Sequence, residues 1–381
     1  MLVITNGRII TDKEIIEGKN LYIKDNKIYE VTNREINSDD TVIDAKGNYV
    51  SPGFIDMHTH GCMGYNYSKA NEDEIYKATK YHMEHGATSM LVTISSITID
   101  NVLNALDTIN KCYKNMPNNI VGVHLEGPYF SKEMCGAQNT DYITEPIKED
   151  YKKIVKDYGD IVKLWSYAPE MDVNGEFCKY ISSNGIIPSA GHTNAQYSHM
   201  LTAMENGCKG VTHLYSCTST ITREDGFRRL GVIETAFLHD ELYAEIIADG
   251  KHLPPELIRM IYKVKGSDNI CLVTDSVSTA GTKNKTGELE GIKYIIDDGV
   301  CKKYDRSCFV GSIASPDVLV RVCVKEAKLP LVDSVKMMSK NPAQILGLNK
   351  GILKEGYDAD VLIFDNDINI KNVFINGKQI I

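Results

Sequence analysis

Between Pro52 and about Gly347, short apolar runs alternate with longer amphipathic stretches, the rhythm of repeated βα units. Eight runs read as strands: Phe54 to His58, Ser89 to Ile94, Ile120 to Glu126, Ile161 to Tyr167, Ile186 to Ala190, Gly210 to Leu214, Ala244 to Ala248 and Ile270 to Thr274. Eight such units predict an α/β chain folded as a (β/α)8 barrel. Both ends of the chain read differently. Leu2 to Ile4 and Leu21 to Val31, the latter broken by the polar Lys24-Asp25-Asn26-Lys27, are short β runs without helical periodicity. Asp360 to Phe364 and Val373 to Ile381, around Asn376-Gly377, are strand and turn sequence again. Chain termini often lie close together, so residues 1–50 and 349–381 are expected to build one small β-sandwich domain, with a catalytic barrel over 51–348.

Composition narrows the class without changing the fold. A chain of 381 residues with 43% hydrophobic content can bury a large core. A net charge of −9 argues against a nucleic-acid surface, while leaving room for one or two local cations that hold a phosphate. No basic leader opens the chain and no apolar stretch reaches membrane-spanning length, so a soluble, cytoplasmic protein without membrane contact is expected. Ten cysteines without a Cys-x-x-Cys pair suit reduced, mostly buried thiols.

The chemistry gathers where the runs stop. In Ser51 to Gly61, two histidines stand one residue apart; on a strand alternate residues share a face, so His58 and His60 can reach one ion, which a helix would forbid. The third run ends at His124-Leu125-Glu126-Gly127-Pro128, the fifth at Gly191-His192, the sixth at Thr212-His213 and the eighth at Thr274-Asp275. Five strand ends thus carry six metal-type residues: His58, His60, Glu126, His192, His213 and Asp275. In this architecture chemistry sits at the C-terminal ends of the strands. Each residue also has a plainer reading. Glu126 could cap the following helix, Asp275 could be an N-cap, His252 an ordinary loop residue beyond the seventh strand, and His124 a core histidine outside the ligand set. His82, His85, His199 and His239 fall on helices and loops.

With these residues in view, the chain resembles the amidohydrolase superfamily, and within it the N-acetylglucosamine-6-phosphate deacetylases. Pro52-Gly-Phe-Ile-Asp-Met-His-Thr-His-Gly61, His124-Leu-Glu-Gly-Pro128, Gly191-His192, Thr212-His213-Leu214, Ala248-Asp249-Gly250 with His252, and Leu272-Val-Thr-Asp275 stand in the family's order, and the likeness spans nearly the whole chain. It implies a divalent metal, zinc or iron, on Glu126, His192 and His213. It also implies a possible second ion with His58 and His60, and Asp275 as the proton-transfer residue and a further candidate ligand. Relatives that bridge two metals with a carboxylated lysine carry it at the end of the fourth strand; here Lys163 lies near that strand's start, so Glu126 must supply the bridge. Amide hydrolysis at neutral pH needs an acidified water and a polarised carbonyl, and a metal provides both.

On the substrate side the resemblance implies a small amino-sugar phosphate, with His252 on the sugar and Arg223 on the 6-phosphate across a homodimer interface. Ala137, Gln138, Ser216 and Cys217 are the other expected contacts. Three departures bear on the sugar. Ser216-Cys217 replaces the usual Asn-Ala, two extra residues within Phe227-Arg228-Arg229-Leu230 follow the arginine motif, and Gln138 stands where relatives commonly carry histidine. Another N-acetyl amino sugar, such as N-acetylgalactosamine 6-phosphate, or another N-acyl amine stays open. A non-enzymatic binding module on this scaffold is the remaining alternative, and an intact ligand set argues against it.

Overall fold

The eight expected runs form one parallel sheet whose strands neighbour each other in chain order. They are β1 (Phe54–Thr59), β2 (Ala87–Ile94), β3 (Ile120–Glu126), β4 (Val162–Tyr167), β5 (Ile187–Ala190), β6 (Gly210–Val211), β7 (Tyr243–Ile246) and β8 (Ile270–Leu272). The coordinates are those of a computed structural model and describe residues 1–115 and 119–381. Most of these strands are buried along their length, which is why they read as continuous apolar runs with little alternation.

The sheet closes into a nearly complete barrel at the β8/β1 seam by individual bonds. Asp275 N donates to the His58 carbonyl at 2.8 Å, and the Thr274 hydroxyl donates to Asp56 Oδ2 at 2.6 Å. Burial pushes the Asp56 acid up to about 6 against the bonds it accepts from Thr274 and His58. The carboxyl that zips the barrel therefore sits directly beneath the His-x-His pair.

Helices follow the strands, among them α1 (Glu72–Glu84), α2 (Ile99–Asn115), α3 (Lys148–Tyr158), α4 (Glu176–Ser183), α5 (Tyr197–Glu205), α6 (Val232–Leu238), α7 (Pro255–Lys265) and α8 (Pro316–Lys325). Local chemistry marks their ends. Asn71 and Glu74 form a capping box at the start of α1. The buried Lys265 ammonium, last residue of α7, donates to the Ala236 and His239 carbonyls, each at 2.6 Å, and so satisfies the end of α6.

Both chain ends meet in a β-sandwich. One sheet orders Lys378–Gln379, Ile370–Ile375, Val361–Phe364, Tyr49–Pro52, Arg8–Ile10 and Ile15–Ile16. The other orders Lys27–Thr32, Asn20–Lys24, Leu2–Thr5 and Thr41–Asp44. Ile4, Leu21, Ile28, Val50, Val361 and Phe374 share the core between them. The polar break after Lys24 is a hairpin turn in which Asp25 and Asn26 both take positive φ.

Three smaller sheets among the described residues have no counterpart in the expected strands, the shortest pairing Gly61–Cys62 with Tyr65–Asn66. Thr286–Leu289, Ile292–Asp297, Val300–Lys303 and Phe309–Gly311 form a four-stranded antiparallel sheet between β8 and α8, around Val277, Leu289, Tyr294 and Cys301. Lys303 Nζ ties this sheet to the loop after β3 by donating to the Gly136 carbonyl at 2.7 Å. Thr222–Glu224 and Phe227–Arg229 form an exposed hairpin after β6. Among the described residues no helix is long and apolar enough to cross a membrane.

Candidate metal centre and substrate pocket

The C-terminal ends of the barrel strands deliver their side chains to one point. His58, inside β1, and His60, just beyond it, bring their Nε2 atoms within 3.3 Å of each other, as the two-residue period of a strand requires. Glu126 ends β3 between the two halves of the site. Its Oε1 lies 3.1 Å from His192 Nε2, 3.0 Å from His213 Nε2 and 3.5 Å from His58 Nε2, and its Oε2 lies 3.2 Å from His60 Nε2. Asp275 Oδ1 closes the ring at 3.3 Å from His60 Nε2 and 3.5 Å from His58 Nε2.

Turning three of these side chains inward takes unusual backbone. His192, His213 and Asp275 all have positive φ, at 46°, 31° and 45°. Non-glycine residues there are uncommon and cluster at functional sites. Gly191 prepares one of these turns: a Cβ at that position would lie 2.9 Å from the Thr212 Cβ, so a side chain would push β5 off β6.

Two groups of three, His58-His60-Glu126 and Glu126-His192-His213, each have ligand atoms close enough to hold one ion, and both share Glu126. The electrostatics fit a cation. Burial opposes the ionised form of Glu126, yet His58, His192, His213 and His60 outweigh it and hold the carboxyl well below its usual range. His60, disfavoured as a cation by burial, is pushed up to about 10 by Asp275 and Glu126. Ring nitrogens and carboxylate oxygens facing one another at these distances repel unless positive charge lies among them. Mixed imidazole and carboxylate donors suit a divalent transition metal.

Above this ring opens a cavity of ≈ 280 Å³. Five of the expected substrate residues line it: Ala137, Gln138, Ser216, Cys217 and His252. Arg223 is not among the lining residues; it sits on the exposed hairpin, opposite Arg228. His252 is oriented by Asp249, whose Oδ2 lies 2.8 Å from His252 Nδ1, and its ring packs edge-on against Phe309. Gln138 donates from Nε2 to Glu126 Oε2 at 2.6 Å and accepts from the Ser96 N–H at 3.1 Å. It therefore grips the carboxylate that both ligand groups share. His124 lies outside those groups, with Nε2 2.7 Å from Ser166 Oγ, and burial with the nearby His58 holds its cation well below the usual range.

Sequence reasoning missed part of this wall. Glu290, Cys308, Phe309 and Val310 come from the added sheet, and their nearness to the pocket is a tertiary fact without a local signal. Glu245, buried in β7 with Oε2 3.4 Å from His58 Nδ1, did leave one: a charged residue in the middle of Ala244-Glu245-Ile246-Ile247-Ala248.

The amidohydrolase family matches this chain over residues 49–380. The chain belongs to that family. As an amidohydrolase it is 30% identical, over 99% of its own length and 97% of the relative's, to an N-acetylglucosamine-6-phosphate deacetylase of Lysinibacillus sphaericus. It is 29% identical, over 86% of its length and 82% of the relative's, to an N-acetylgalactosamine-6-phosphate deacetylase of a Shewanella species. Its fold is similar, at a TM-score of 0.91 and 25% identity, to a mutant N-acetyl-D-glucosamine-6-phosphate deacetylase of Mycobacterium smegmatis in complex with N-acetyl-D-glucosamine-6-phosphate, covering 100% of this chain and 98% of the other. The barrel and the small domain are thus those of an amidohydrolase.

Proposed function

We propose that this amidohydrolase removes the acetyl group from N-acetylglucosamine 6-phosphate, giving glucosamine 6-phosphate and acetate in amino-sugar catabolism. The observation that carries the reading is the pair of ligand groups sharing Glu126 at the floor of a sugar-sized pocket. The names of the relatives supply the substrate. Zinc or iron suits the donor set, and the two groups favour two ions per chain. When bound there, a divalent ion supplies Lewis acidity for the amide carbonyl and acidifies a water.

The residues do the rest. Asp275 is held ionised because His58 and His60 outweigh the cost of its burial, so it is a proton acceptor at the reacting end of the pocket. It takes the proton of the attacking water as the new C–O bond forms and passes it to nitrogen as the C–N bond breaks, so the sugar leaves as a neutral amine. Gln138 keeps one amide proton on Glu126 and offers the other to the carbonyl oxygen as negative charge grows on it. His252, with Nδ1 tied to Asp249, leaves Nε2 for a sugar hydroxyl. Ala137, Ser216 and Cys217 form the wall beside the ring. Arg223 supplies the phosphate contact to the pocket of a partner chain in a homodimer, which accounts for its place on an exposed hairpin. A cytoplasmic setting suits the ten free cysteines.

Acetate release by metal-replete protein from N-acetylglucosamine, N-acetylgalactosamine and their 6-phosphates tests the reading. The glucosamine-type phosphate should turn over fastest, chelation should abolish the rate and added divalent metal should restore it. Full turnover by protein shown metal-free by elemental analysis would sink the assignment. The second reading, N-acetylgalactosamine 6-phosphate, is supported by the relative of that name, with Gln138 and Ser216-Cys217 in the pocket wall as the departures that leave the sugar open, and the same four rates decide it.

A further inference from the structure

Four imidazoles converge on Glu126, and what stands behind each ring differs. His192 Nδ1 faces the Met134 carbonyl at 3.0 Å, and His60 Nδ1 faces the Ser95 hydroxyl at 3.0 Å. His213 Nδ1 is buried with no hydrogen-bond partner among the described residues. Among the described residues, His58 alone of the four has a carboxylate at its back: Glu245 Oε2, at 3.4 Å from Nδ1. Glu245 is 0% exposed, and its other oxygen, Oε1, has no partner among the described residues. A buried carboxylate with so little compensation is expensive unless positive charge comes close to it.

We propose that Glu245 is the positioning residue that makes the His58-His60-Glu126 group an ion site. It accepts the Nδ1 proton of His58, which leaves the Nε2 lone pair of that ring facing His60 and Glu126. The carboxylate raises the basicity of the imidazole as a ligand, and His58, His60 and Glu126 would hold an ion whose positive charge would offset the burial of Glu245. Carboxylate-backed histidines of this kind typically strengthen metal binding 10–100-fold. His192 is backed by the neutral Met134 carbonyl and His213 by no partner among the described residues, so the two groups differ in affinity and Glu245 decides how firmly the His58 side is filled. The inference rests on the two-ion reading above.

The experiment compares wild type with Glu245→Gln, which keeps shape and hydrogen-bonding ability but removes the charge. Metal-free chains are dialysed against graded zinc, bound ions per folded chain are counted by elemental analysis, and unfolding midpoints of the metal-free forms are measured alongside. Wild type should hold two ions. Glu245→Gln should hold one with wild-type affinity and the other about 10–100-fold more weakly, with a metal-free midpoint unchanged or higher because a buried carboxyl with one unpartnered oxygen has gone. In a His192→Asn background, which spares the His58 group, adding Glu245→Gln should weaken the remaining ion by the same factor. Two ions at wild-type affinity in Glu245→Gln would overturn the proposal. So would a metal-free midpoint that drops while both ions weaken together, the mark of a merely structural role. A wild-type chain that takes one ion overturns the two-ion reading and this assignment with it, and that failure is seen before any variant is made.

Discussion

Asp275 meets the ring of ligands at His60 and Gln138 meets it at Glu126, and their substitutions separate proton transfer from the positioning of Glu126. Asp275→Asn should fold and lose about 10²-fold or more in kcat, because an amide cannot carry the proton from water to nitrogen; a steady-state assay returning wild-type kcat would remove Asp275 from the mechanism. Gln138→Ala should lower kcat more than it raises KM, since it frees Glu126 Oε2 and removes a donor near the carbonyl. Gln138→Glu should be worse, because it sets a second carboxylate against Glu126 where the amide now donates. If both variants change KM alone, Gln138 only holds its loop. At this scale the ligands were legible because a two-residue period and a strand end leave few places for a side chain to point. What Gln138 touches was not, because its partner Glu126 ends the strand before it, across an irregular loop whose fold-back no local spacing encodes.

Helix α1 bears on the active site through one buried contact. His82, near the end of α1, places Nε2 3.2 Å from the hydroxyl of Thr59, the residue between the two metal-type histidines of β1. Burial, helped by the neighbouring His85, lowers its pKa to about 3, whereas in an unfolded chain histidine titrates near 6.5. Between those values the unfolded chain binds a proton that the folded chain refuses, so the contribution to stability is complete above about pH 6.5 and is lost as pH falls towards 3. Urea unfolding of chelator-treated wild type and His82→Gln from pH 7 to 4 should show the wild type losing ground to the variant by on the order of 1 kcal/mol per pH unit. Parallel curves across that range would remove His82 as the acid-sensitive group. The strands and helices that make this contact were legible from periodicity. The sheet over 286–311 was not: Thr286–Leu289 is mostly exposed, and a short strand with little buried surface leaves almost no apolar pattern to read.

For the whole molecule, the exposed hairpin and the pocket belong to one problem. Phe227 is 68% exposed beside Arg223 and Arg228, Arg229 is paired with Glu224 at 2.9 Å, and none of them is among the residues that line the described pocket. If Arg223 serves the partner's phosphate, Arg223→Ala should raise KM for the 6-phosphorylated sugar far more than for the unphosphorylated one. Mixing Arg223→Ala with Asp275→Asn chains, then allowing exchange, should restore low-KM turnover, because the hybrid dimer has one pocket with both Asp275 and a partner's Arg223. No gain on mixing, with exchange shown by mass, would place the phosphate contact within one chain. We also propose that the molecule divides as 1–50 with 349–381 against 51–348, since the two terminal stretches share a core of their own.

That shared core sets an order of events during synthesis. Tyr49–Pro52 runs on into β1, which carries His58 and leads to His60, yet its partner strand Val361–Phe364 is made much later than the barrel strands. A ribosome making the protein has exposed β1 and most of the barrel before that partner exists. The strand leading into the His-x-His pair must therefore wait, one flank unpaired, until Val361–Phe364 is translated. A message cut short after α8 would yield a chain with every metal-type residue in place and no completed sheet beneath the first two.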